Sequence, residues 1–85
     1  ETFDQFVRKH TYRHWTVKGR FRIEPALLAG GWFCELWFDG QRLGTYAYPQ
    51  TAAQQLHAGS FDAAIGFSAK GAGVPLEVHD WNGLS

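Results

Sequence analysis

Three groups of side chains in this sequence have the types and spacing to do chemistry. His10 and His14 stand four residues apart, which on a helix would set two imidazoles on one face. A zinc site wants three or four ligands. No cysteine or acid near the pair completes such a set, so the expectation is no metal and a surface pair with His10 half-buried. His79 and Asp80 are adjacent, and neighbouring side chains rarely converge. Cys34 would need exposure and a nearby base to act as a nucleophile. Its place in an apolar run reads instead as a small buried residue. No triad, paired-carboxylate site or phosphate loop stands out. Gly30-Gly31 and Gly71-Ala72-Gly73 lack the flanking motif of a phosphate cradle. The expectation is a protein that is not an enzyme and takes no cofactor.

Two further sets have the types to bind. Lys18, Arg20 and Arg22 alternate along one run, with Arg8, Lys9 and Arg13 upstream as further members and Arg42 further on, and such a basic stripe contacts phosphates. Its bland alternative is a solvated strand face with Glu24 nearby. Phe33, Trp37, Tyr46 and Tyr48 fall on one face of a hairpin and would make a peptide- or protein-binding surface or a homodimer contact. Their bland alternative is core beneath an N-terminal helix.

The element that positions both sets is the stretch from Gly31 to Pro49. Two aromatic-rich runs flank Asp39-Gly40, a strong hairpin signal because a type I′ turn needs φ > 0 at both central residues. A two-residue loop fixes the register. It pairs Phe38 with Gln41, Leu36 with Leu43, Cys34 with Thr45 and Trp32 with Ala47 on the core face. On the other face it pairs Trp37 with Arg42, Glu35 with Gly44 and Phe33 with Tyr46. Trp37 against Arg42 suits a cation–π contact.

Upstream, residues 3–11 read as a short amphipathic helix with a capping box from Thr2 to Gln5. Residues 15–24 alternate, with Trp15, Val17, Gly19, Phe21 and Ile23 on the apolar side, as a half-buried strand does. Pro25 ends that strand or marks its edge, and Ala26–Gly31 reads as a loop. Downstream, Pro49 precedes a helix capped by Gln50 or Thr51, with Ala52, Ala53 and Leu56 as its apolar stripe and Gly59 just past its end. Residues 60–69 are ambiguous, with Ser60 a cap for a second short helix. In the tail Leu76 and Val78 alternate like a strand, and Trp81 plugs a gap or covers the aromatic face.

The fold class expected is α+β: a three-stranded antiparallel meander with a helix packed on one face and a short N-terminal helix. Eighty-five residues make one domain, 1–85. The first residue is not Met, which fits a piece of a longer protein. The chain is 45% hydrophobic and 16% aromatic, which points to an ordered core rather than disorder. Net charge is zero, so no overall field favours nucleic acid or membrane. The charge is uneven, however, with six of the eight Lys/Arg within residues 1–24. One cysteine excludes an internal disulfide and fits a reducing compartment, so the cytoplasm is the expected location. No run approaches a membrane span.

The run from Trp32 to Tyr46 followed by an Ala-rich helix is similar to the three-strand-plus-helix DNA-binding units of plant AP2-type factors and phage integrase arm domains. That likeness implies sheet contacts from Arg20, Arg22, Arg42 and Trp37. The same run resembles GYF-like adaptor modules, which implies a proline-binding surface of Trp32, Trp37, Tyr46 and Tyr48. Leu43-Gly44-Thr45-Tyr46, the Ala-Ala helix and Val74-Pro75 followed by Trp81 also look like small bacterial domains of unknown function. The leading expectation is a non-catalytic protein-interaction module using an aromatic sheet face. The alternative is a nucleic-acid-binding accessory domain using the basic first strand.

Overall fold

A computed structural model describes residues 2, 5 and 10–81. An antiparallel sheet carries one helix layer and a long, mostly irregular tail. The strands are β1 (Tyr12–Thr16), β2 (Gly19–Leu28), β3 (Gly31–Phe38) and β4 (Gln41–Tyr46), in the order β1-β2-β3-β4. They are followed by α1 (Pro49–His57), α2 (Asp62–Ile65) and a 3-10 turn, Val78–Asp80.

The sheet therefore has four strands where the sequence pattern predicts three. The stretch read as one strand over 15–24 is a hairpin, β1–β2, turning at Val17-Lys18. Alternation cannot reveal this, because apolar and polar residues keep a period of two straight through the turn. The turn chemistry is local. The Thr16 hydroxyl accepts the Lys18 and Gly19 N–H groups at 3.1 Å each and donates to the Gly19 carbonyl at 2.9 Å. The reversal moves Trp15 off the core face and sets it beside Arg20. It also leaves Val17 wholly exposed.

The helix expected over 3–11 lies largely outside the described residues. Its capping box is present: Thr2 N–H donates to Gln5 Oε1 at 2.9 Å and Gln5 N–H to Thr2 Oγ1 at 3.2 Å. His14 lies in β1 opposite Phe21, so the two imidazoles do not share a helix face. Pro25 sits inside β2 opposite Cys34 rather than ending the strand, and Ala26–Leu28 continues the strand instead of forming a loop. This is tolerated because β1 stops at the Tyr12–Ile23 pair, and beyond it β2 is bonded to β3 alone.

The β3–β4 hairpin keeps its two-residue turn but not its register. Phe38–Gln41 and Trp37–Arg42 pair as expected; then a bulge intervenes and Leu36 faces Gly44, Glu35 faces Thr45 and Cys34 faces Tyr46. One inserted residue moves every later side chain to the opposite face. Tyr46 is thereby turned towards the core. The turn is not type I′ either, since positive φ falls on Asp39 (φ 50) and not on Gly40.

The core lies on one sheet face. Phe21, Ile23 and Leu36 are fully buried beneath Ala52, Ala53 and Leu56 of α1 and Ala69, Val74, Val78 and Trp81 of the tail. Pro49 occupies the first turn of α1, where its missing N–H costs nothing, and neither Gln50 nor Thr51 caps the helix. Gln50 instead ties the tail to the helix, accepting the Val78 N–H at 2.8 Å and donating to the Leu76 carbonyl at 3.2 Å. The helix ends in a Schellman motif, Ser60 N–H to the Gln55 carbonyl and Gly59 N–H to the Leu56 carbonyl, with Gly59 at φ 93. The segment after it does form a short helix, α2, with Phe61 rather than Ser60 at its N-cap. Among the described residues the tail adds no strand. Trp81 plugs the core, its indole N–H donating to the Pro75 carbonyl at 3.2 Å.

Candidate functional site

The residues expected to form one aromatic surface are separated. Trp37 lies on the outer face, half-buried, with the Arg22 guanidinium over its ring. Phe33 shares that face by register, opposite Ala26, and is half-buried. Tyr46 packs against the core beside Cys34, and burial pushes its phenol pKa up. Tyr48 stands exposed at the start of α1. The basic residues fare differently. Arg20, Arg22 and Arg42 lie together on the outer face, and Lys18 is exposed in the adjoining β1–β2 turn.

A different site appears where the core face runs on beyond the end of α1. The tip of the β2–β3 hairpin extends past β1 and β4, and the β4–α1 junction crosses beside it. Between them lies a cleft of about 160 Å³ lined by Tyr12, Pro25, Trp32, Phe33, Cys34 and Pro49, with His10 also contributing. Its surroundings are apolar and open: Leu27 is 60% exposed, Trp32 43% and Tyr48 69%. Leu27 and Trp32 face each other across the hairpin. Tyr48 lies between Ala47 and Pro49, which both line the cleft. Most isolated surface apolar groups need no explanation, but a contiguous set around a concavity marks an interaction site.

Leu27 escapes the sequence reading because Gly30-Gly31 looks like a loop breaker. Ala29-Gly30 is in fact a two-residue hairpin turn, with Leu28 paired to Gly31 across it. Trp15 escapes it because the β1–β2 turn is silent in the alternation, whereas Arg13 belongs to the basic set read from the sequence.

The lining of the cleft is mainly apolar. Burial raises the Cys34 pKa, which keeps the thiol protonated and a poor nucleophile. His79 and Asp80 do converge, at 3.5 Å, but both are exposed and on the far tail. No group of three or more His, Cys, Asp or Glu among the described residues is placed to hold a metal ion. No described helix is long and apolar enough to cross a membrane.

Set against family models, curated proteins and solved structures, the chain matches none of them.

Proposed function

We propose that this domain is a non-catalytic interaction module that takes an extended, proline-containing segment of a partner protein in the Trp32 cleft. The observation that carries this reading is the exposure of Leu27, Trp32 and Tyr48 around one apolar hollow. Proline-rich segments enter aromatic-lined grooves at low entropic cost because their backbone is already extended. Trp32 and Tyr12 supply ring faces, Pro25 and Pro49 supply rigid walls, and the Tyr12 hydroxyl supplies a polar group that can orient a backbone carbonyl. The partner surface is thus the open end of the core face. Of the expected aromatic set, Phe33 lines this cleft and Tyr48 borders it, whereas Trp37 and Tyr46 do not line it.

The test is an amide-fingerprint NMR titration of the full chain with a proline-rich peptide. Shifts should cluster on Tyr12, Trp32, Cys34 and Ala47. Trp32→Ala and Tyr48→Ala should abolish them with little change in melting temperature, since both side chains are substantially exposed. Shifts at these residues that appear with protein concentration alone would make the occupant a second copy of the chain and overturn the peptide reading. So would a titration that leaves them unmoved.

A further inference from the structure

The outer face of the sheet carries a second surface, which shares no residue with the cleft. The register lines Arg13, Arg22, Trp37 and Arg42 across the four strands and sets Trp15 beside Arg20. The Arg20 guanidinium carbon lies 5.2 Å from the centroid of the Trp15 ring, and that of Arg22 lies 5.1 Å from the centroid of Trp37. The acids on this face are engaged towards its other end. Glu24 pairs with Arg22 at 3.0 Å and Glu35 with Arg42 at 3.2 Å. Asp39 binds the backbone N–H of Arg20 at 3.0 Å rather than its guanidinium. Among the described residues no carboxylate pairs with Arg13, Lys18 or Arg20. The uncompensated cations therefore gather at the β1–β2 end, around a Trp15 that is 55% exposed.

We propose that this end of the outer face binds single-stranded nucleic acid, with Arg13, Lys18 and Arg20 holding phosphates and Trp15 stacking on a base. Cations interleaved with an open aromatic ring are what single strands select, because the backbone tracks the charge and every base offers a π-face. An acidic peptide would use the cations and leave the indole without a partner. A duplex keeps its bases stacked and offers Trp15 nothing to cover. No described element packs on this face, since α1 and the tail both lie on the side of Phe21, Ile23 and Leu36.

The experiment is fluorescence anisotropy of a labelled oligothymidylate with the full chain, over a series of salt concentrations. Three uncompensated cations, at about 0.7 counterions released per phosphate on a single strand, predict a log–log salt slope of about −2. Trp15→Ala should weaken binding about tenfold or more, and Arg20→Ala should weaken it comparably, each with an unchanged amide fingerprint elsewhere. Arg42→Ala, at the compensated end, should weaken it far less. Absence of binding at low salt overturns the proposal. Retention of full affinity by Trp15→Ala overturns it too, as does equal affinity for polyglutamate, which would make the surface a general anion or acidic-peptide contact. Shifts confined to the Trp32 cleft would reject this surface without touching the peptide reading.

Discussion

Asp39 and Arg20 hold each other by two hydrogen bonds, one of them through the Asp39 carboxylate. The Asp39 N–H donates to the Arg20 carbonyl at 2.8 Å, and Asp39 Oδ1 accepts the Arg20 N–H at 3.0 Å. The β3–β4 turn is thus fastened to the start of β2, one strand away. Asp39 also occupies the left-handed region at φ 50, which Asp and Asn tolerate better than other residues with a β-carbon. Asp39→Ala loses a hydrogen bond worth about 1 kcal/mol and adds about 1 kcal/mol of backbone strain. A loss of about 2 kcal/mol in urea unfolding is expected. Asp39→Asn, which keeps an acceptor and the conformation, should stay within about 0.5 kcal/mol of the parent.

Gly19 is the other residue that this corner cannot replace. Its φ is +150, and a Cβ there would stand 2.7 Å from Asp39 Oδ2 and 2.8 Å from Phe38 Cζ. Phe38 cannot move freely, because its ring packs against Phe21 with centroids 4.7 Å apart and meets Phe67 at 5.4 Å. Gly19→Ala should therefore destabilise by about 1–3 kcal/mol. At Gly40 a Cβ meets nothing within 4 Å, and Gly40→Ala should be close to neutral. Equal melting temperatures for the two variants would contradict this packing.

Much of the core was legible in the sequence, and so were the cations of the outer face; which aromatic rings join them there was not. The Ala52, Ala53 and Leu56 stripe and the Gly59 terminus follow from helix periodicity and from the freedom of glycine at positive φ. Leu36 faces the core in any register that keeps the first pairs of the hairpin. The failures have one physical source, which is parity. A two-residue turn at Val17-Lys18 and one inserted residue near Leu43 each preserve the apolar count while exchanging faces. Trp15 went outward and Tyr46 inward, so the expected aromatic surface dissolved and a basic one gained an indole. Trp81 shows a different limit. Nothing local says that a tail tryptophan will meet His14 and Phe21, because that contact closes a loop of more than half the chain.

Leu36 is fully buried at the middle of β3, opposite Ile23 on one side and Gly44 on the other. Leu36→Ala opens a cavity that the facing glycine cannot fill, and a cost of about 2–5 kcal/mol is expected. Urea denaturation reads this directly, and a nearly unchanged midpoint would displace Leu36 from the core.

Cys34 should be chemically slow despite lining an open cleft. Burial raises its pKa, so little thiolate exists at neutral pH. Reaction with a disulfide reagent should be slower in the folded chain than in the chain unfolded by urea, and a proline-rich peptide seated in the cleft should slow it further. A folded-state rate equal to the unfolded one would place Cys34 outside the cleft.

His14 gives the fold a pH dependence whose sign can be worked out. Its ring centroid lies 6.0 Å from that of Trp81, and burial lowers its pKa below the usual value, outweighing a hydrogen bond to the Gly73 backbone that raises it. In the unfolded chain the imidazole protonates near pH 6.5. Between that value and the lower folded one, the unfolded state holds more protons, so stability falls as the pH drops. The contribution is complete above about pH 6.5 and is lost on acidification through the folded value. Urea midpoints measured from about pH 7 down to about pH 5 should decline. His14→Phe keeps a ring against Trp81 and removes the titration, so it should flatten that part of the slope. A variant with the full slope of the parent would assign the pH dependence to other groups.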